Sequence, residues 1–433
     1  MRVDPSARTF LFSTVFACLA ASCGSDEAAG ARAGSGGSSG AGGSGAACSS
    51  PDVDGDGFDM IECGGTDCDD RDPGLYPGSP MGFTVEVVTQ FPRMADVTDR
   101  AQDRDVAAAV DANGNVVIAF EGNSGFWFGR LSNGTWDLQA VSPMANPTLS
   151  DPSIAVSGSG AIVLGFKQEA PASAAMLARH DGTTFIIEKR WDSSAPPVLT
   201  TAPDGTLWVA GTDDAGVFGI GPEANGTFTL TAVQDVFGPP GTRFRIDSAG
   251  HHHLLSGAGA ASRIPPIKYK YATDTSGAWV ITEFDEQCFH DRAALALEGT
   301  DVHFTYVRPR NLQGVYYLGP GDDAPGPVIQ DARGSFSDTP QDVGTAVTVY
   351  QGFARIAFAT SDSMYLASRL GEVFSSTLVE DRTQTEAFGS PALVVAPDGL
   401  HLLYFGRSTD TSGDMQLKHA FFAKDAVGGC TTR

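Results

Sequence analysis

Nine acidic residues fall between positions 52 and 80, against a single base, Arg71. Asp52, Asp54 and Asp56 alternate, and Gly57 follows. That spacing lets a tight loop fold three carboxylates around one hard cation, with the glycine permitting the sharp turn. The Phe58 carbonyl is the next ligand expected. Position 12 of an EF-hand loop would be Cys63 rather than Glu, and no amphipathic helices flank the stretch, so this is not an EF-hand. Asp67, Asp69, Asp70 and Asp72 supply the remaining oxygens if Gly64-Gly65 turns the chain back. A Cys63–Cys68 link is one way to close that loop. Residues 48–80 contain no His and one Met, and an all-oxygen set suits Ca2+. The expected role is structural: a small calcium-held spacer.

Two other clusters invite chemistry. In His251-His252-His253, a strand sends neighbours to opposite faces, so only His251 and His253 can share one. Packing is the favoured reading over a metal site. Cys288 stands near His290 and Asp291, but in an exported chain a disulfide or idle thiol outweighs a nucleophile.

Export is read from the N-terminus. Arg2 and Arg8 precede the apolar run Phe10–Leu19, then Ala20-Ala21-Ser22 and Cys23. The run is too short for a permanent span. The segment resembles a bacterial lipoprotein signal, which implies Cys23 as the lipidated mature N-terminus. It departs from that pattern in placing Leu19 four residues before the Cys rather than three. Gly24 resembles outer-membrane sorting, so an anchor at the outer membrane or cell surface is expected, with secretion in soluble form the alternative. Residues 30–45 are Gly, Ala and Ser except for Arg32, a flexible tether. Cys48, Cys63, Cys68, Cys288 and Cys430 remain in the mature chain. Two disulfides are expected among them, with connectivity open.

The string from Asp52 to Asp72, followed by Pro73-Gly74, resembles the metal-binding motif of MopE-type bacterial surface proteins. It is similar also to the calcium-wrapping repeats of thrombospondin type 3. The resemblance covers about residues 50–79 and implies a metal there. The copper association of MopE does not suit a set without His.

The chain of 433 residues carries a net charge of −24, with 52 Gly. Residues 52–80 hold −8 of that charge and residues 81–433 hold −16. Such acidity excludes nucleic-acid binding through the overall field. With 42% hydrophobic and 18% charged residues the chain can bury a core. After residue 80 a period organises it: apolar strand, turn ending in Gly, apolar strand. The turn glycines are Gly114, Gly160, Gly205, Gly250, Gly299, Gly352 and Gly399, spaced 45 to 53 residues apart. A third strand follows in each unit, and a fourth often begins at an aromatic such as Trp136, Phe185 or Phe374. Four short strands per repeat predict an all-β, seven-bladed β-propeller of four-stranded blades. The seventh unit stops after three strands. Residues 83–91 are therefore expected to supply its outer strand and close the ring.

The repeats resemble propellers of bacterial surface proteins, best at Tyr271-Ala272, Gly277-Ala278-Trp279 and Val302-His303. Sialidase-type propellers are similar in architecture. Arg263-Ile264-Pro265 resembles a sialidase segment but falls mid-chain, and Leu131 to Trp136 only approaches an Asp box. No catalytic residues are assigned. The domains expected are a signal at 1–22, lipidated Cys and tether at 23–49, the acidic module at 50–80, the propeller at 81–425 and a tail at 426–433. Propellers bind at the channel mouth through residues just before each innermost strand. Here these are Asp103, Arg104, Asp105, Asp151, Arg243, Asp291, Arg292 and Asp338. The function expected is an envelope lipoprotein displaying a propeller for a glycan or protein ligand. A propeller-type glycoside hydrolase or lyase and an envelope assembly scaffold are the alternatives.

Overall fold

A computed structural model describes residues 83–91 and 105–424. Outside it are 123–124, 143–148, 169–173, 194, 237–240, 258–267, 285–292, 309–313, 323, 331–343, 360–362, 371–372, 381–389 and 408–413. The signal, tether, acidic module and all five mature cysteines lie outside the described residues.

The described residues form seven antiparallel sheets. Their innermost strands are Val106–Val110, Leu149–Val156, Val198–Thr201, Arg243–Ile246, Ala294–Glu298, Thr345–Tyr350 and Ala392–Ala396. Each packs against the next, and the seventh returns to the first, so the sheets are the blades of a closed propeller. Every blade has four strands, with the outermost strand of blade 3 broken into Thr227–Phe228 and Thr231–Ala232. Blade 7 takes its outer strand from Phe83–Phe91, which pairs antiparallel with Met415–Ala423. The first described strand thereby locks the last one and leaves blade 7 no unfinished edge.

The sequence pattern explains the layering. Second strands such as Val116–Gly122 and Ile162–Gln168 are covered on both faces by neighbouring blades and read as continuous apolar runs. Phe83–Phe91 is largely exposed and carries Thr, Glu and Gln among its apolar residues. Seven buried apolar clusters form the core, one in each gap between adjacent blades. Phe126, for instance, stacks on Phe166 of blade 2 at 4.6 Å between ring centroids, a geometry aromatic pairs favour.

The repeated Asp-x-x-Gly turn is a backbone device. Asp111 Oδ1 accepts from the N–H groups of Asn113 and Asn115, at 2.9 and 3.0 Å. Gly114 N–H closes the turn on the Asp111 carbonyl at 2.9 Å. Gly114 holds φ at +84°, where a side chain would strain the chain. The seventh turn glycine is needed for another reason: a Cβ on Gly399 would meet the Phe422 carbonyl oxygen at 2.1 Å.

Candidate functional site

The starts of the innermost strands surround a cavity of about 150 Å³ in the central channel. Pro196 and Pro391 stand just before their strands and Pro152 at a register shift within its strand, places where proline withholds no N–H from the ladder. Small and apolar side chains, including Ala107, Ala108, Ala294 and Ala346, form much of the wall. Their size is what keeps the channel open.

Polar groups tie neighbouring blades together around the cavity. The Ser390 N–H donates to Asp105 Oδ1 and ties the start of blade 7 to the start of blade 1. Ser153 Oγ donates to the Pro197 carbonyl at 2.6 Å, linking blades 2 and 3. Thr305 and Thr345 hydroxyls lie 3.0 Å apart between blades 5 and 6. Arg243 and Arg245 also line the cavity. They are the only lysines or arginines in the seven innermost strands.

Their placement follows from strand alternation. Phe244 and Ile246 point into the core between blades 3 and 4. Arg243 and Arg245 then share the other face and reach the channel. Arg245 is open to channel water yet walled by protein. Burial and the charge of Arg243 lower its pKa to about 10, so it stays cationic at neutral pH. Its Nη1 donates to the Phe244 carbonyl at 2.9 Å. Among the described residues no carboxylate pairs with it. Two hydroxyls on the cavity wall, Thr242 Oγ1 and Ser390 Oγ, are buried without a hydrogen-bond partner.

Of the eight residues expected at the channel mouth, Asp105 and Arg243 do line the cavity. Asp151 lies within the innermost strand of blade 2, with its side chain outside the description. Asp103, Arg104, Asp291, Arg292 and Asp338 lie outside the described residues, as do the lipidation and calcium candidates and Cys288. The sequence reading missed Arg245, Thr242 and Ser390. The signal for the first was present: Arg-Phe-Arg-Ile stands where the other innermost strands hold mostly Ala, Val, Leu and Thr.

The histidine triplet is held by carboxylates. His251 Nδ1 and His253 Nε2 both meet Asp247 Oδ2, at 2.9 and 3.2 Å, so these two share a side as the strand period predicts. His252 turns away to Asp274, 2.7 Å from its Oδ2. His253 Nδ1 also lies 2.6 Å from the Tyr271 hydroxyl. Burial acts to raise the pKa of Asp247, but the bonds it receives from His251, His253 and the Ala249 N–H outweigh it and hold the value at about 2. His303 and Tyr317 repeat the His–Tyr contact in blade 5, at 2.6 Å. These groups knit strands within blades and stand apart from the channel cavity.

No protein-family model matches the chain, and no curated protein matches it in sequence. Solved structures match the chain at low identity and at TM-scores below 0.5. The AofleA protein of Arthrobotrys oligospora is 10% identical, with 69% of this chain and 89% of that one covered at a TM-score of 0.43. A GH93 alpha-L-arabinofuranosidase of Fusarium graminearum is 12% identical, covering 79% and 99%, at 0.46. The NanB sialidase of Streptococcus pneumoniae is 10% identical, covering 81% and 71%, at 0.43. The propeller itself is read from the strand pairing of this chain.

Proposed function

We propose that the chain is an exported binding protein that takes a small polar ligand, a carbohydrate foremost, in the central channel of its propeller. The observation that carries this is the cavity lining, which holds Arg243 and Arg245 and two hydroxyls, Thr242 Oγ1 and Ser390 Oγ, that are buried without partners. Buried polar groups are ordinarily hydrogen-bonded, and a ligand hydroxyl or oxyanion would complete them. Asp105 is the one carboxylate among the described lining residues, which include no His or Tyr. That wall is suited to holding a ligand, whereas glycoside hydrolysis commonly uses two carboxylates flanking the bond.

The experiment is a glycan array probed with the wild type, Ala108→Phe and Ala392→Phe. Both alanines are half-buried on the cavity wall, and phenylalanine there fills the channel. The expected outcome is a glycan signal from the wild type, lost in both variants while their melting temperatures hold. Signal retained in both folded variants sinks the channel as the site. Cleavage of a bound glycan would favour the hydrolase alternative.

The proposal extends to the display of this propeller at the cell envelope through a lipid on Cys23, with a calcium-held spacer over residues 50–80. Support comes from the signal pattern and the carboxylate spacing. Cys23→Ser should move the protein from the membrane to the soluble fraction. Calcium titration of the full chain should show binding that is lost in Asp54→Ala/Asp56→Ala. An unchanged fraction, or unchanged binding, refutes the respective assignment.

A further inference from the structure

Among the described residues the channel cavity is neutral or apolar around most of its circumference, and its arginines stand on blade 4. Arg245 meets no acid among the described residues; its guanidinium bonds only to the Phe244 carbonyl and faces the like charge of Arg243. Its side chain is open to channel water, which a ligand anion can replace with a charge-assisted bond. Of the six other innermost strands, those of blades 1, 3, 5, 6 and 7 bring no acid to the described wall beyond Asp105, which precedes blade 1. Asp105 already accepts the Ser390 N–H.

Two further hydroxyls line the same cavity, one on blade 4 and one at the start of blade 7. Thr242 is 1% exposed and Ser390 8% exposed, and the hydroxyl of each lacks a partner. Thr242 directly precedes the strand carrying the arginines, and Ser390 stands before blade 7. A planar guanidinium fork matches the oxygens of a carboxylate. The cavity, about 150 Å³, exceeds the space one water needs by roughly tenfold.

We infer that the channel selects a ligand bearing a carboxylate, and that Arg245 receives that group, with Arg243 on the same strand. This rests on the channel being the binding site and adds the chemistry by which it chooses. The carboxylate could belong to a sugar acid or to the end of a short peptide, and the probes separate the two.

The test is calorimetric titration of the full chain at constant ionic strength. One pair of probes is glucuronate and glucose; the other is N-acetylalanine and its amide. At least one acid should bind about tenfold or more tightly than its neutral partner, as a charge-assisted bond in an enclosed site implies. Arg245→Met should bring that acid to the level of the neutral probe. Its ligand-free melting temperature should equal or exceed that of the wild type, because the side chain holds no other residue in place. Arg245→Gln gives the same readout if the Met variant does not fold. The inference is overturned if neither acid is preferred, if the preference survives in the variant, or if loss of the arginine destabilises the free protein. A neutral probe displaced by Ala108→Phe with no acid preference would leave the channel reading standing and remove this one. A preferred acid that Ala108→Phe does not displace removes both.

Discussion

Individual side chains in this propeller are chosen for how they satisfy turns and strand pairs. The clearest case is the ring-closing blade. His401 Nε2 meets Asp398 Oδ1 at 3.0 Å, His401 Nδ1 meets His419 Nε2 at 2.9 Å, and His419 Nδ1 meets Glu86 Oε1 at 2.9 Å. Three contacts take three protons when both acids are ionised, and two neutral rings carry two. The pair thus accommodates one imidazolium; a second would set N–H against N–H between the rings. Burial lowers the pKa of both, against the raising effect of Asp398 and Glu86. Burial likewise lowers His253 and His303. A ring whose folded pKa lies below 6.5 takes up a proton more readily in the unfolded chain. Stability is therefore full above about pH 6.5 and falls as pH drops below it. The expected outcome is a melting temperature that declines between pH 7.5 and pH 5. A flat profile would show that these rings protonate without hindrance in the folded state.

At the scale of elements, glycine sets how closely strands approach. In blade 3 the strand Phe218–Ala224 carries Gly219 and Gly221 opposite the broken outer strand. A Cβ on Gly221 would stand 2.0 Å from the Thr229 carbonyl oxygen, and one on Gly219 2.6 Å from that of Thr231. Gly226, in the turn that follows, has open space around it. Gly221→Ala should destabilise the protein by about 1–3 kcal/mol in urea unfolding, the range for overpacking. Loss of that order would confirm that the outer strand of blade 3 is held at glycine distance; an unchanged midpoint would show it free to retreat. The second strands of the blades were legible because coverage on both faces forces an apolar run. The break in the outer strand of blade 3 was not, because nothing between Thr227 and Ala232 departs from strand composition except through its contact with Gly219 and Gly221.

Across the whole molecule, charge and function separate. The region from residue 81 onward carries −16, so an anion approaching from a distance is repelled. An anion in the channel must be won by contact with Arg245, within a site where salt screens less than at the surface. Raising the ionic strength should accordingly speed association of a carboxylate probe more than it alters its release, a distinction that stopped-flow mixing reads directly. Added salt that slows association instead would show an attractive field at the mouth.

Strand periods, the seven turn glycines and the closure through Phe83–Phe91 are all legible in residue order alone. These follow from local rules: alternation and apolar runs mark strands, and a backbone at positive φ demands glycine. Residue order also placed Asp105 and Arg243 near the channel, since residues before an innermost strand must lie at its mouth. Which charges are answered depends on contacts between blades. Arg245 is one arginine among many in the chain until strands from distant positions close around it, and no acid among the described residues meets it. The hydroxyls of Thr242 and Ser390 are likewise left without partners among the described residues, because hydrogen bonding between blades depends on distances that no single repeat contains.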